Sequence, residues 1–240
     1  MLVPFPFDGD GVRAVVTTRH GGVSAAPYDS LNLGVHVGDD PDAVAENRRR
    51  VADALGVERL TIADQQHGSG VAVVTAENAA TVFPATDGLV TNVPGVALAT
   101  LVADCGPVLL WDPVHHAIGA AHCGRRGVLA GVLAATVAAL GEQYGSLPED
   151  LVAGVGPCIG VASYEVGEAE AEPFDTSLTR RSRPGHAYVD LPGAVRRQLG
   201  DLGIGTVHAM DVDTRISTDT FFSDRAARPC GRFAAVAVLT

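Results

Sequence analysis

The sequence contains no lysine: all 17 basic residues are arginine, against 28 acids, for a net charge of −11. Lysine Schiff bases and Walker-type phosphate binding are thereby excluded. The acidic balance argues against nucleic acid or an anionic membrane as the main partner. Cysteine is sparse, with only Cys105, Cys123, Cys158 and Cys230. That is too few for a disulfide scaffold, and no CxxC pair points to a zinc ribbon or a thioredoxin-type site. No run of about 18 apolar residues suggests a membrane helix. The opening MLVPFPFDGDGVRAVVTT lacks the layout of a signal peptide. A cytoplasmic protein with reduced thiols is the expectation. Also missing are a GxSxG elbow, an HExxH pair and a GxGxxG turn opening a helix, so neither a nicotinamide nor a flavin cofactor is indicated.

What is present is a chain of 240 residues, 47% hydrophobic and 19% charged, which is enough to bury a sizeable core. No linker or repeat divides it, so one domain over residues 1–240 is expected. Strands are predicted at Arg13–Thr18, Val71–Thr75, Val96–Val102, Val108–Trp111, Ala117–Ala121, Leu151–Val155, Thr206–Ala209 and Phe233–Leu239. Most are continuous apolar runs, the pattern of strands covered on both faces. One helix is predicted from Pro41, capped by Asp40 and stopped by Gly56. A second is predicted from about Val128 to Leu140, and a third from Leu191 to Leu202 behind Asp190. Residues 58–121 are nearly all strand and loop, so about ten strands and four helices suit an α+β domain better than a doubly wound sheet.

Polar residues interrupt the apolar runs at three strand ends: QQHGSG at 65–70, ADCGP at 103–107 and AHCGRRG at 121–127. His67, Cys105 and His122 together offer two imidazoles and a thiolate, a set suited to zinc or copper with one coordination position left open. Their spacings of 38 and 17 residues match no local metal motif. The alternative is two loop histidines with polar partners beside a buried thiol. Gly124–Gly127 opens the second helix, where Arg125 and Arg126 could hold an anion. The basic loop from Thr17 to Gly34 is longer than most connections, and such loops are often functional. His115 and His116 are expected in an exposed hairpin turn, His186 in a polar stretch, and Cys158 and Cys230 as buried or turn thiols.

In this order, the segments TTRHGGVS (17–24), SLNLG (30–34), VGDDPDAVAENR (37–48), QQHGSGV (65–71), TDGLVT (86–91), ADCGPVLLWD (103–112), AAHCGRRG (120–127), GPCIGVASYEVG (156–167) and FFSDR (221–225) resemble the YfiH/laccase-domain family. That family is also called multicopper polyphenol oxidase-like or purine nucleoside phosphorylase-like. The resemblance spans nearly the whole chain. It implies a single-domain, layered α/β/β/α sandwich with mixed sheets and one metal site on His67, Cys105 and His122. It also implies a monomer or weak homodimer. Two departures stand out. Cys123 and Arg125 replace the family's usual Ala and Trp, leaving Cys123 as either a fourth ligand or an oxidation-prone bystander. Asp224 and Ala226 break the usual FFSYRR.

The chemistry implied is phosphorolysis of adenosine, inosine or methylthioadenosine with inorganic phosphate, together with adenosine deamination. A zinc ion, or copper, on the three donors would serve deamination, with Asp104 moving the proton. Arg19, Arg48 or Arg126 and the helix start at 127 would hold phosphate for attack on the ribose C1′. Three other readings stand beside it. Cys105 with His122 or His67 would make a thiol hydrolase removing a misincorporated Ser from a peptidoglycan precursor. Copper-dependent phenol oxidation is a further reading, although one His2Cys site suits it poorly. The last is a non-catalytic metal-binding protein.

Overall fold

A computed structural model describes all 240 residues. Two sheets stack face to face and carry helices on both outer sides. The first sheet has the order β1-β2-β14-β6-β3. Its strands are β1 (Leu2–Pro4), β2 (Val12–Thr17), β3 (Leu60–Ile62), β6 (Ala97–Val102) and β14 (Phe233–Leu239). The second sheet has the order β13-β9-β7-β8-β5-β4. It comprises β4 (Val71–Val73), β5 (Gly88–Thr91), β7 (Gly106–Asp112), β8 (Ala117–Cys123), β9 (Val152–Val155) and β13 (Thr206–Ala209). Both sheets are mixed: β3 runs parallel to β6, β4 to β5 and β13 to β9, while the other pairings are antiparallel. A small third sheet, β10 (Glu165–Gly167), β12 (His186–Val189) and β11 (Thr179–Arg181), carries the short α4 (Glu168–Ala171).

The continuous apolar runs follow from this layering. Along β14, Ala234, Val236 and Val238 pack with Val51 and Leu55 of α1 (Pro41–Leu55). The alternate residues Phe233, Ala235, Ala237 and Leu239 face the second sheet, meeting Leu109, Ile118 and Ala120. With period-two alternation and both faces buried, every position is apolar. The outer face of the second sheet is covered by α3 (Val132–Tyr144) and α5 (Leu191–Asp201), which bring Leu133, Leu140, Val195 and Leu199 onto Val108 and Leu110. Phe233 is fully buried between the sheets. Phe233→Ala is expected to lower unfolding free energy by about 3–5 kcal/mol, read as a lower urea midpoint with unchanged slope.

The α/β/β/α expectation therefore holds, with 14 strands and five helices where about ten and four were predicted. The surplus is short segments of three or four residues such as β1, β3 and β10, too brief for a periodic signal. The first helix is as read. Asp40 accepts a hydrogen bond from Asp42 N, Pro41 opens the helix, and Gly56 at φ 71° closes it through Ala52 O and Asp53 O. The second helix is corrected. It begins at Arg125 and breaks at Gly131, whose φ of 83° ends α2 (Arg125–Ala130) and starts α3.

The long loop after β2 owes its order to two buried asparagines. Asn47 on α1 accepts from Val23 N and donates to Ser24 Oγ and Asn32 O. Asn32 Oδ1 accepts from Gly34 N and Arg232 N. These bonds fix the loop against α1, so that Arg48 Nε meets Leu33 O at 2.9 Å and His36 reaches the cavity described next.

Candidate active site

Three strand ends converge at one edge of the sandwich. His67 lies just before β4 at φ 60°, Cys105 in the turn between β6 and β7, and His122 inside β8. Their donor atoms lie within 4.8 Å of one another. Cys105 Sγ is 3.7 Å from His67 Nε2, close to the ~3.6 Å edge of a tetrahedron around zinc with ordinary bond lengths. The His67 and His122 rings meet edge to face at 4.7 Å.

Asp87 organises this cluster. It is 3% exposed and heads β5, whose register with β8 brings it beside His122. Its carboxylate accepts from His122 Nδ1 at 2.8 Å and from the backbone N–H groups of Gln66, His67 and Gly68 at 3.1, 2.9 and 2.7 Å. One side chain thus holds the left-handed turn at His67 and fixes the His122 tautomer, leaving His122 Nε2 as the outward donor. A carboxylate behind a ligating histidine is a common partner of bound metal. The donor set and its support fit a single zinc or copper ion.

The charges agree. Burial pushes the Cys105 thiol up, but His122 and then His67 outweigh it and bring its pKa to about 6. Burial disfavours the His122 imidazolium, yet Cys105 and Asp87 raise it to about 9. Burial likewise opposes ionisation of Asp87, while His122 and the backbone donors hold it below the ordinary carboxylate value. In chelator-treated protein, Cys105 should therefore alkylate readily at pH 7, as a thiolate, and slow as the pH falls through about 6. An ordinary thiol would instead slow below about 8.5. Iodoacetamide labelling followed by mass spectrometry reads this directly.

The cluster opens into a cavity of about 1060 Å³. Seven of the 17 arginines line it, against five carboxylates, in a chain of net charge −11. Of these, Arg48, Arg126 and Arg225 have no carboxylate partner. Arg225 lies over the half-buried ring of Tyr164 at 5.3 Å and donates to Glu165 O.

The structure brings His67, Cys105, His122, Arg48 and Arg126 to this cavity. It treats other sequence candidates differently. Arg19 is not among the lining residues. Its guanidinium donates to Asp29 O and Thr218 O and lies over Phe222 at 4.8 Å, fastening two loops together. Asp104, at φ 87°, reaches the cavity wall, but its two oxygens accept from Thr214 Oγ1 and Arg225 N, both at 2.6 Å. It anchors the 213–225 loop, and both oxygens are occupied as the structure stands. The helix start is also demoted: α2 has six residues, and Arg125 pairs with Glu170. Cys123 is no fourth ligand. Alternation along β8 turns it away from His122 into the core beneath the helices, where burial raises its thiol well above the ordinary value.

Several site residues escaped the sequence reading: Asp87 behind the cluster, and His36, Tyr164, Arg183, Arg225, Arg228 and Arg232 lining the cavity; His186, placed only in a polar stretch, also lines it. Asp87 sits in the TDGLVT segment and Tyr164 in GPCIGVASYEVG, which offered the only sequence signal for either.

Residues 13–240 match the family described as multi-copper polyphenol oxidoreductase laccase. A protein from Streptomyces griseus named a purine nucleoside phosphorylase is 45% identical over 227 residues, covering 91% of this chain and 90% of its own length. The purine nucleoside phosphorylase YfiH of Escherichia coli is 37% identical, covering 98% of this chain and 96% of its own. A crystal structure of a Neisseria meningitidis protein superposes with a TM-score of 0.91 at 35% identity, covering 99% and 98% of the two chains. YlmD from Geobacillus stearothermophilus does so at 0.89 and 34%, covering 95% and 92%.

Proposed function

The chain belongs to the multi-copper polyphenol oxidoreductase laccase family, and from that premise we propose that it is a purine nucleoside phosphorylase with a single zinc site. The observation that carries this reading is the juxtaposition of one three-donor cluster with unpaired arginines in one cavity. His67, Cys105 and His122 would hold the ion. A bound zinc supplies Lewis-acid polarisation there. Phenol oxidation coupled to four-electron reduction of oxygen would need several coppers, and the chain assembles one cluster of suitable donors.

The protein's own groups account for binding and orientation. Arg48 and Arg126 present guanidiniums without carboxylate partners to inorganic phosphate. The phosphate oxygen forms a bond to the ribose C1′ as the C1′–N9 bond breaks, and the electron pair leaves with the purine. Tyr164 keeps its phenolic proton, its pKa raised by burial, and offers a hydrogen bond to the departing base. Asp87 acts through His67 and His122 as a positioning residue. Asp104 positions the 213–225 loop, which carries Arg225. Arg19 has no part in phosphate binding.

Adenosine incubated with the protein, with and without phosphate, tests the reading. Adenine that appears only with phosphate supports it. Inosine formed without phosphate would assign adenosine deamination to the centre. The second reading, a thiol hydrolase, draws on Cys105 Sγ lying 3.7 Å from His67 Nε2. Chelation should spare that activity and abolish the metal-dependent ones.

A further inference from the structure

Beyond the metal cluster the cavity runs into an open recess of about 370 Å³. His36, Asp224, Arg228 and Arg232 line both spaces and form the threshold between them. Asp224 holds the two guanidiniums in place, with Arg228 Nη2 at 2.5 Å and Arg232 Nη2 at 3.4 Å. Arg232 is fastened further by donating to Cys230 O and Gly231 O, both at 3.1 Å. Its side chain is 19% exposed, whereas that of Arg228 is 74% exposed. The threshold thus pairs one pre-set and one adaptable arginine with a histidine, against a single carboxylate. Burial and then the charges of Arg232 and Arg48 hold His36 below its ordinary pKa. Arg228 and Arg232 share the single carboxylate of Asp224, and the positive charge left over favours an anion at the threshold.

We infer that His36, Arg228 and Arg232 form a phosphoryl-binding subsite at the mouth of the recess, in addition to the phosphate contacts of Arg48 and Arg126. This rests on the nucleoside reading for the body of the ligand but not on turnover. Arginine forks suit a phosphoryl group in number and geometry. The group has two sources: a phosphate ester carried by a nucleoside, or free phosphate.

Calorimetry with zinc-loaded protein tests the subsite, using AMP, adenosine and inorganic phosphate as separate probes. The wild type should bind AMP on the order of tenfold tighter than adenosine. In His36→Gln/Arg228→Gln, a change at two exposed side chains, that advantage should vanish while adenosine affinity is kept. Such a result places an ester phosphate in the subsite. If inorganic phosphate affinity also falls about tenfold in the double variant, free phosphate occupies it too. AMP and phosphate affinities unchanged in the double variant would overturn the assignment. A thermal midpoint equal to wild type shows that the variant is folded. Because the readout is binding, a protein that fails to phosphorolyse adenosine would refute the proposed reaction and leave this result to be judged separately.

Discussion

Replacing Asp87 by Asn should release the metal and loosen the fold together. The wild-type carboxylate accepts four hydrogen bonds, three from backbone N–H groups and one from His122 Nδ1. An amide keeps one oxygen and turns its NH2 toward donors that have nowhere else to go. At a site 3% exposed, such a clash costs on the order of 3 kcal/mol. His67 loses the support for its φ of 60°, and His122 loses the partner that selects its tautomer. Metal affinity should fall about 10–100-fold, measured by competition with a chromophoric chelator. The thermal midpoint should drop in the same variant. An Asp87→Asn protein with wild-type affinity and midpoint would show that the cluster is organised by something else.

The second large effect is expected from a single methyl group. A Cβ at Gly124 would lie 2.6 Å from His67 Cδ2 and 2.8 Å from Cys105 Sγ. The first is the ring carbon next to the donor Nε2, itself 3.3 Å away, and the second is the thiol donor; Asp87 holds the turn at His67 and the turn after β6 holds Cys105. Gly124 has φ −75° and ψ 166°, extended values that alanine adopts freely, so the effect is steric rather than conformational. As the residue ahead of α2, alanine costs about 1 kcal/mol in capping, too little to unfold the chain. Gly124→Ala should therefore keep its circular dichroism spectrum yet retain less than stoichiometric zinc. Its kcat/KM should fall about a hundredfold, the size of loss that accompanies roughly 1 Å of misplacement. Full activity in this variant would mean that the donors do not work from the positions seen here.

Much of this was legible in the sequence where local physics decides. Asp40, Pro41 and Gly56 punctuate α1 as their chemistry requires, and the FAAVAVL run of β14 declares a strand buried on both faces. The three donors stood out as polar interruptions of apolar runs. Long-range pairing left no local trace. Nothing in β14 says that it inserts between β2 and β6, joining the C-terminus to the sheet of the N-terminus. The roles of Asp87, Arg228 and Arg232 depend on such pairings. Asp87 is one acid among 28 acidic residues until β5 lies against β8. Arg19 misled for the same reason, since its partners Thr218 and Phe222 lie about 200 residues away in sequence. The helix expected from Val128 failed at Gly131, where apolar periodicity continues through a residue whose φ of 83° interrupts the helix.

In the proposed reaction, phosphorolysis depends on one metal ion held by His67, Cys105 and His122. The most direct test of that dependence is a zinc titration of chelator-stripped protein, following phosphate-dependent release of adenine from adenosine. Activity should rise in proportion to zinc and saturate at one equivalent per chain, with no response in Cys105→Ser. Activity already full before zinc is added, or indifferent to phosphate, would contradict it.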